Sequence, residues 1–333
     1  MRQYLDLVQN VLTLGTRKEN RTGVDTLSTF GHYYEVDLAY GFPLLTTKQI
    51  SWKNIVIEIL WFLSGQTNIS ILKRHGCKFW DAWADPETGL VPSAYGNFWR
   101  QFPVHGMFLD DNCNEFGDAL GPPIPKPTIE FNDQIRWVID ELNRNPMSRR
   151  MVVSAWAPGN AQTSKLPPCH SIFMLNVQNR NIVHYVPEEG RTDRLVPSVV
   201  GTKQRVCLHL TQRSADVGIG IPFNIASYAL LLSLFSRFSG IEPGIFGHTL
   251  VDAHVYTAKP DGSMAEYDHV PVLKEQLTRK PKDLPKLIIS DQIKTLSDVE
   301  ALMHPSVTTE EVMKHFVLEG YDPWPTLKMK VAV

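Results

Sequence analysis

Cysteine is scarce. Cys77, Cys113, Cys169 and Cys207 are the only four in 333 residues, and no two form a C-x-x-C pair. Such scattered spacing argues against a zinc cluster and against a disulfide framework, so no metal is expected. An excess of one charge is lacking too: 33 lysines and arginines against 35 aspartates and glutamates leave a formal net charge of -2. No global field then draws the chain to nucleic acid or to a membrane, and a bound anion has to be held by a local arginine cluster. Repeats and low-complexity tracts are missing, and no apolar run approaches the length of a membrane span. The opening stretch MRQYLDLVQNVLTLGTRKEN spaces its apolar residues as a helix does, without the continuous apolar core of a signal peptide, so the expected compartment is the cytoplasm.

What is present reads as an interspersed α+β pattern. The length allows one large domain or two smaller ones, and composition does not separate them. ISWKNIVIEILWFLSGQTN predicts a helix apolar nearly all round, hence buried, with Glu58 inside it. A carboxylate there is costly unless it is paired or used. NDQIRWVIDELNRNP places Ile135, Ile139 and Leu142 on one helical stripe and stops at Asn145-Pro146. RRMVVSAW and SIFMLNV predict strands, FNIASYALLLSLFSRFSG a second buried helix with a glycine stop, and HTLVDAHVY a further strand. The Pro- and Gly-rich stretch 103–128 predicts a surface excursion. Without a regular βαβ rhythm, the sheet should be mostly antiparallel or mixed.

The residues that carry chemistry stand beside these elements. Arg21, Arg149, Arg150 and Arg213 with Ser214 lie in three separate segments, and guanidinium forks suit bidentate phosphate recognition. Asn224, in QRSADVGIGIPFNIASY, offers both a donor and an acceptor, which matches the N3-H and O4 edge of uracil. It reads equally well as a helix cap. In LPPCHSIF a cysteine follows a rigid Pro-Pro pair at the start of an apolar strand; alone, Cys169 is equally a small core residue.

Taken together, RTGVDTLSTFGHYYEVDL, FPLLTTKQISWKNIVIEILWFLSGQTN, FWDAWAD, SRRMVVSAW, LPPCH, QRSADVGIGIPFNIASYALLL, HTLVDAHVY and GYDPWPTLKMKVAV resemble the thymidylate synthase family, in the family's order. The resemblance implies an α+β fold with a large, mostly antiparallel or mixed sheet flanked by helices. It implies one catalytic domain over 1–333, with surface insertions near 103–128 and 179–205, the second an extended hairpin beside the nucleophile. It implies a homodimer packed sheet to sheet, with arginines shared across the interface. Cys169 would be the nucleophile at C6 of dUMP, and 5,10-methylenetetrahydrofolate the one-carbon donor to C5. Arg21, Arg213 and Ser214 would hold the phosphate, with Arg149 and Arg150 lent by the other subunit. His254 and Tyr256 would meet the ribose, and Asn224 the base. Glu58 would manage protons, while His170 and Tyr95 would order water. Asp216 would bind the pterin, Trp80 and Trp83 would wall the folate, and the tail ending at Val333 would close over the bound pair.

The sequence departs from the family's usual pattern at several places. Ala157 stands where AWNP has an amide, Phe98 and Met174 replace glutamines, Val251 fills a glycine position, and Ala258-Lys259 replaces Asn-His. Loss of three amides with the substrate-binding set intact is similar to the phage deoxyuridylate hydroxymethyltransferases. The expectation is therefore water capture of the exocyclic methylene, giving 5-hydroxymethyl-dUMP for modified DNA, in a host cytoplasm if the chain is viral. The alternative is reduction to dTMP with release of dihydrofolate. A non-catalytic nucleotide- or RNA-binding regulator is the remote reading, against which stand the near-neutral charge and the complete Cys169, Glu58, Asn224 and arginine set.

Overall fold

A computed structural model describes residues 1–106, 128–158, 166–187 and 195–332. Its strands are β1 (Thr16–Lys18), β2 (Asp25–Asp37), β3 (Phe102–Gly106), β4 (Thr128–Asn132), β5 (Val152–Ser154), β6 (His170–Pro187), β7 (Leu195–Gln212), β8 (Ala215–Asp216), β9 (Glu242–Thr257), β10 (Lys286–Ile289) and β11 (Phe316–Glu319). The main sheet runs β1-β2-β9-β7-β6-β5, with β8 on β9; β3-β4 and β10-β11 form two small ladders. Most pairs are antiparallel, but β7 and β8 both run parallel to β9. The fold is thus α+β around a mixed sheet.

One face of that sheet forms the core. Phe173, Leu175 and Val177 of β6 are buried with Val206, Leu208 and Leu210 of β7, as period-2 alternation requires. They meet the helix Gly220–Ser239, which carries the chain from β7 across to parallel β9 and ends at Gly240 with φ 71°. This helix is, contrary to the sequence expectation, long and apolar enough to cross a bilayer, yet 67% of its most apolar window is buried inside the molecule. It is a core helix by packing. It begins at Gly220 with Pro222 in its first turn, so Asn224 sits one turn inside and is no cap.

Behind it lies the helix Trp52–Leu63, whose Ser51 side chain accepts the Asn54 N–H at its start. Eight of its twelve residues are buried. The short helix Tyr95–Arg100 crosses it so closely that a Cβ on Gly96 would lie 2.5 Å from the Phe62 carbonyl oxygen. The helix Gln134–Arg144 starts at Asp133, which accepts the Arg136 N–H, and ends at Asn145 as the sequence predicts.

RRMVVSAW yields only three strand residues, because β5 is an edge strand and the chain leaves the ladder after Ala155. The flanks of the 103–128 excursion pair as β3 and β4; residues 107–127 fall outside the described set. Along 179–205 the chain extends β6 and β7 into one ladder from His170↔Gln212 to Pro187↔Leu195, with an irregularity between Ile182 and Val183.

Candidate active site

The turn at 166–169 presents the thiol. Arg213, directly after β7, donates its backbone N–H to the Cys169 carbonyl at 2.9 Å. Its guanidinium donates to the carbonyls of Pro167 at 2.7 Å and Pro168 at 3.0 Å, and lies 5.3 Å from the Trp156 ring centre. The guanidinium thus pins both proline carbonyls and fixes the turn that carries the thiol. From the other side, the Tyr95 hydroxyl accepts the backbone N–H groups of Cys169 (3.0 Å) and His170 (3.3 Å). Burial pushes the Cys169 thiol up, while Arg213 and then Arg21 pull it back. In the free chain burial wins, so the arginines alone do not make a thiolate.

Cys169 opens onto a cavity of about 200 Å³. Of the expected residues, Arg21, Arg213, Ser214, His254 and Tyr256 line it with the cysteine. Arg21 stands 5.7 Å from the Trp83 ring centre, which ties the phosphate side to the expected folate wall. His254, 7% exposed, points Nδ1 at Asp252 Oδ1, 3.4 Å away. The Asp252 carboxyl is held well below the usual range, first by His254 and further by Lys18 and Ser28, against the cost of burial. Burial pushes Tyr256 up to about 12, with the Asp216 charge adding to it. The cavity therefore offers two guanidinium groups, one thiol and two ring polar groups to a small anionic ligand.

Deeper in the molecule a second group of polar residues is held by exact partners. Glu58 accepts the Trp80 indole N–H at 2.7 Å, and burial nevertheless pushes its carboxyl up to about 7. A carboxyl titrating there can give and take protons near neutrality. The His170 ring stacks on Tyr95 with centres 4.6 Å apart, and burial drives it down to about 4 although Asn224 hydrogen-bonds it. It is neutral at pH 7, and its Nδ1 is buried without a partner.

The orientation of Asn224 follows from a chain of forced roles. Gln212 Nε2 donates to the Ser214 carbonyl at 2.9 Å, which fixes the Gln212 amide. The same Nε2 donates to Asn224 Oδ1 at 3.3 Å, and Gln212 Oε1 faces His248 Nε2 at 3.0 Å. His248 Nε2 must then carry the proton, so Nδ1 accepts from the Tyr34 hydroxyl at 2.7 Å. Asp216, on β8, pairs with His254 and accepts the N–H groups of Gly218 (2.9 Å) and Ile219 (3.2 Å).

Other expected residues lie apart. Arg149 and Arg150 are exposed, and Arg149 lines a cavity of about 670 Å³ on the far face of the sheet with Tyr33, Met174 and His209. Val333 lies outside the described residues. Met174, which replaces a glutamine of the family pattern, is on that far face, because it alternates with buried Phe173 and Leu175. Ala157 and Phe98 are buried in apolar packing, and neither is among the described residues lining the Cys169 cavity.

Sequence reasoning missed Asp252, Lys18, Trp156 and Gln212. Asp252 was within reach, since on a strand it shares a face with His254 two residues on. The others carry no local signal.

A thiol at a cationic pocket, with a carboxyl poised near neutrality behind it, defines a group-transfer enzyme for an anionic substrate. A family model described as thymidylate synthase matches residues 2–333. The chain belongs to the thymidylate synthase family, one-carbon transferases that act at C5 of dUMP with methylenetetrahydrofolate.

Proposed function

We propose that this chain converts dUMP to dTMP by reductive methylation. The Cys169 sulfur adds to C6, making C5 nucleophilic; C5 takes the one-carbon unit, and elimination of the sulfur restores the ring. Arg21, Arg213 and Ser214 hold the phosphate, His254 and Tyr256 the ribose, and Asn224, oriented by Gln212, reads the uracil edge. The field of Arg213 and Arg21 opposes the burial that pushes the Cys169 thiol up, and so favours the thiolate that adds to C6. Glu58 exchanges protons during C5 deprotonation, with His170 and Tyr95 beside it. Methylenetetrahydrofolate supplies the carbon and the hydride. The residues fit such a group: Trp80 and Trp83 offer aromatic walls, and Asp216 keeps its carboxylate near a buried, unpartnered imidazole nitrogen of His269.

The observation that carries the product assignment is the position of the three lost amides, at Met174, Phe98 and Ala157. Met174 is on the opposite face, and Phe98 and Ala157 are closed into apolar packing. A water able to capture the exocyclic methylene needs two to four polar partners, and these substitutions supply none. The loss of three amides supports the second reading, 5-hydroxymethyl-dUMP formation. One incubation with dUMP and methylenetetrahydrofolate separates them. Dihydrofolate absorbance rising in step with dTMP supports methylation; hydroxymethyl-dUMP without dihydrofolate refutes it.

The working unit is proposed to be one catalytic domain per chain in a cytoplasmic homodimer, joined through the sheet face that exposes Tyr33 and Met174. Arg149 lies on that face, so each site would receive Arg149 and Arg150 from its partner.

A further inference from the structure

His269, beside Asp216, is 1% exposed and sits between the site and the C-terminal tail. Its backbone N–H donates to the Tyr256 carbonyl at 3.0 Å, and its ring meets the Tyr256 ring edge-on at 5.6 Å. Its Nε2 lies 2.9 Å from the Lys330 carbonyl oxygen. A carbonyl only accepts, so Nε2 carries the proton. Nδ1 is buried without a partner, 3.9 Å from Asp216 Oδ1. Gly218 fills the space between: a Cβ there would come within 2.8 Å of Nδ1 and 3.1 Å of the Met329 sulfur. Lys48 closes the other side of the same turn, donating to the Gly218 carbonyl at 2.6 Å.

One imidazole therefore joins the end of β9, the turn at Asp216 and the backbone of the tail. We propose that His269 is a positioning residue, a latch that holds the C-terminal tail against the Asp216–Gly218 turn in the free protein. Ala332, two residues beyond the latch, is 8% exposed, so the anchor reaches almost to the chain end. Gly218 is required because any side chain would wedge the latch away from Met329. If the folate reading above holds, the latch spares the co-substrate part of the ordering cost of the tail, so it tunes folate affinity.

The test reads the tail directly. Carboxypeptidase release of C-terminal residues from ligand-free His269→Ala should be about fivefold faster than from the native protein, the population shift expected for one ordinary hydrogen bond. His269→Gln, whose amide N–H can reach the same carbonyl, should restore the native rate. Gly218→Ala, which keeps the imidazole but crowds it, should also speed release and stands in if His269→Ala does not fold. In turnover, His269→Ala should raise the KM for methylenetetrahydrofolate about fivefold. A native release rate in His269→Ala overturns the latch, as does faster release that Gln fails to rescue, since that marks packing alone. The release assay needs no turnover, so it stands even if the proposed reaction fails.

Discussion

Replacing Glu58 by Gln removes one proton-binding site while keeping the size of the side chain and a carbonyl oxygen for the Trp80 indole. In the native protein burial lifts this carboxyl from 4.5 to about 7. At 1.36 kcal/mol per unit the shift corresponds to about 3 kcal/mol, and because Glu58 keeps some contact with solvent, the working figure is about 2 kcal/mol. The sign follows from linkage: the folded state holds the proton more tightly, so stability is greatest below 4.5 and falls as pH rises through about 7. Urea unfolding of the native protein and Glu58→Gln, at equal protein concentration, should show the native protein losing about 2 kcal/mol relative to the variant between pH 5 and pH 8. Trp80→Phe removes the hydrogen bond that lowers this carboxyl and should move the loss to higher pH. A relative change under about 0.5 kcal/mol, or one of opposite sign, would refute a buried, poised carboxyl at this position.

Cys169→Ser should cut turnover by at least about a thousandfold while calorimetry finds dUMP binding within about threefold of native. Asn224→Asp should weaken dUMP binding by about a hundredfold and admit dCMP, measured by competition, because the acceptor pair then suits an exocyclic amine. Gly96→Ala forces a Cβ to within 2.5 Å of the Phe62 carbonyl oxygen and should cost roughly 3 kcal/mol in urea unfolding. Asp252→Asn should cost about 1 kcal/mol at pH 7. That deficit should shrink on acidification, since a carboxylate held low stabilises above its ordinary value and the benefit is lost as pH falls through the depressed one.

Local patterns were read well where one residue type can do only one thing. The Ile135, Ile139 and Leu142 stripe and the stop at Asn145-Pro146 mark a helix that forms as expected. The alternation through Phe173 and Leu175, had it been applied, would have located both the core face of β6 and the outward face of Met174. Asn224 was harder: its helix starts four residues earlier with no capping side chain, so nothing marks the start. The parallel β7–β9 pairing depends on a crossover helix, and no periodicity encodes it. The hydrogen bonds from Tyr34 through His248 and Gln212 to Asn224 join three strands and a helix. Each partner is an ordinary polar residue in sequence, and only the assembled sheet gives it a role.

The pairing of β2 with β9 sets a timetable for synthesis. Thr26 meets Tyr256, about 230 residues later in the chain. At roughly 5 to 20 residues per second, β2 waits on the order of ten to fifty seconds on the ribosome with one edge open. That edge carries exposed Phe30 and Tyr33, a template for unwanted strand addition until β9 arrives. Because Arg21 precedes β2 while His254 and Tyr256 lie on β9, the cavity beside Cys169 cannot exist before this closure. A truncated chain is therefore both inert and sticky, and nascent-chain chaperones have most to protect in the interval before residue 257 emerges.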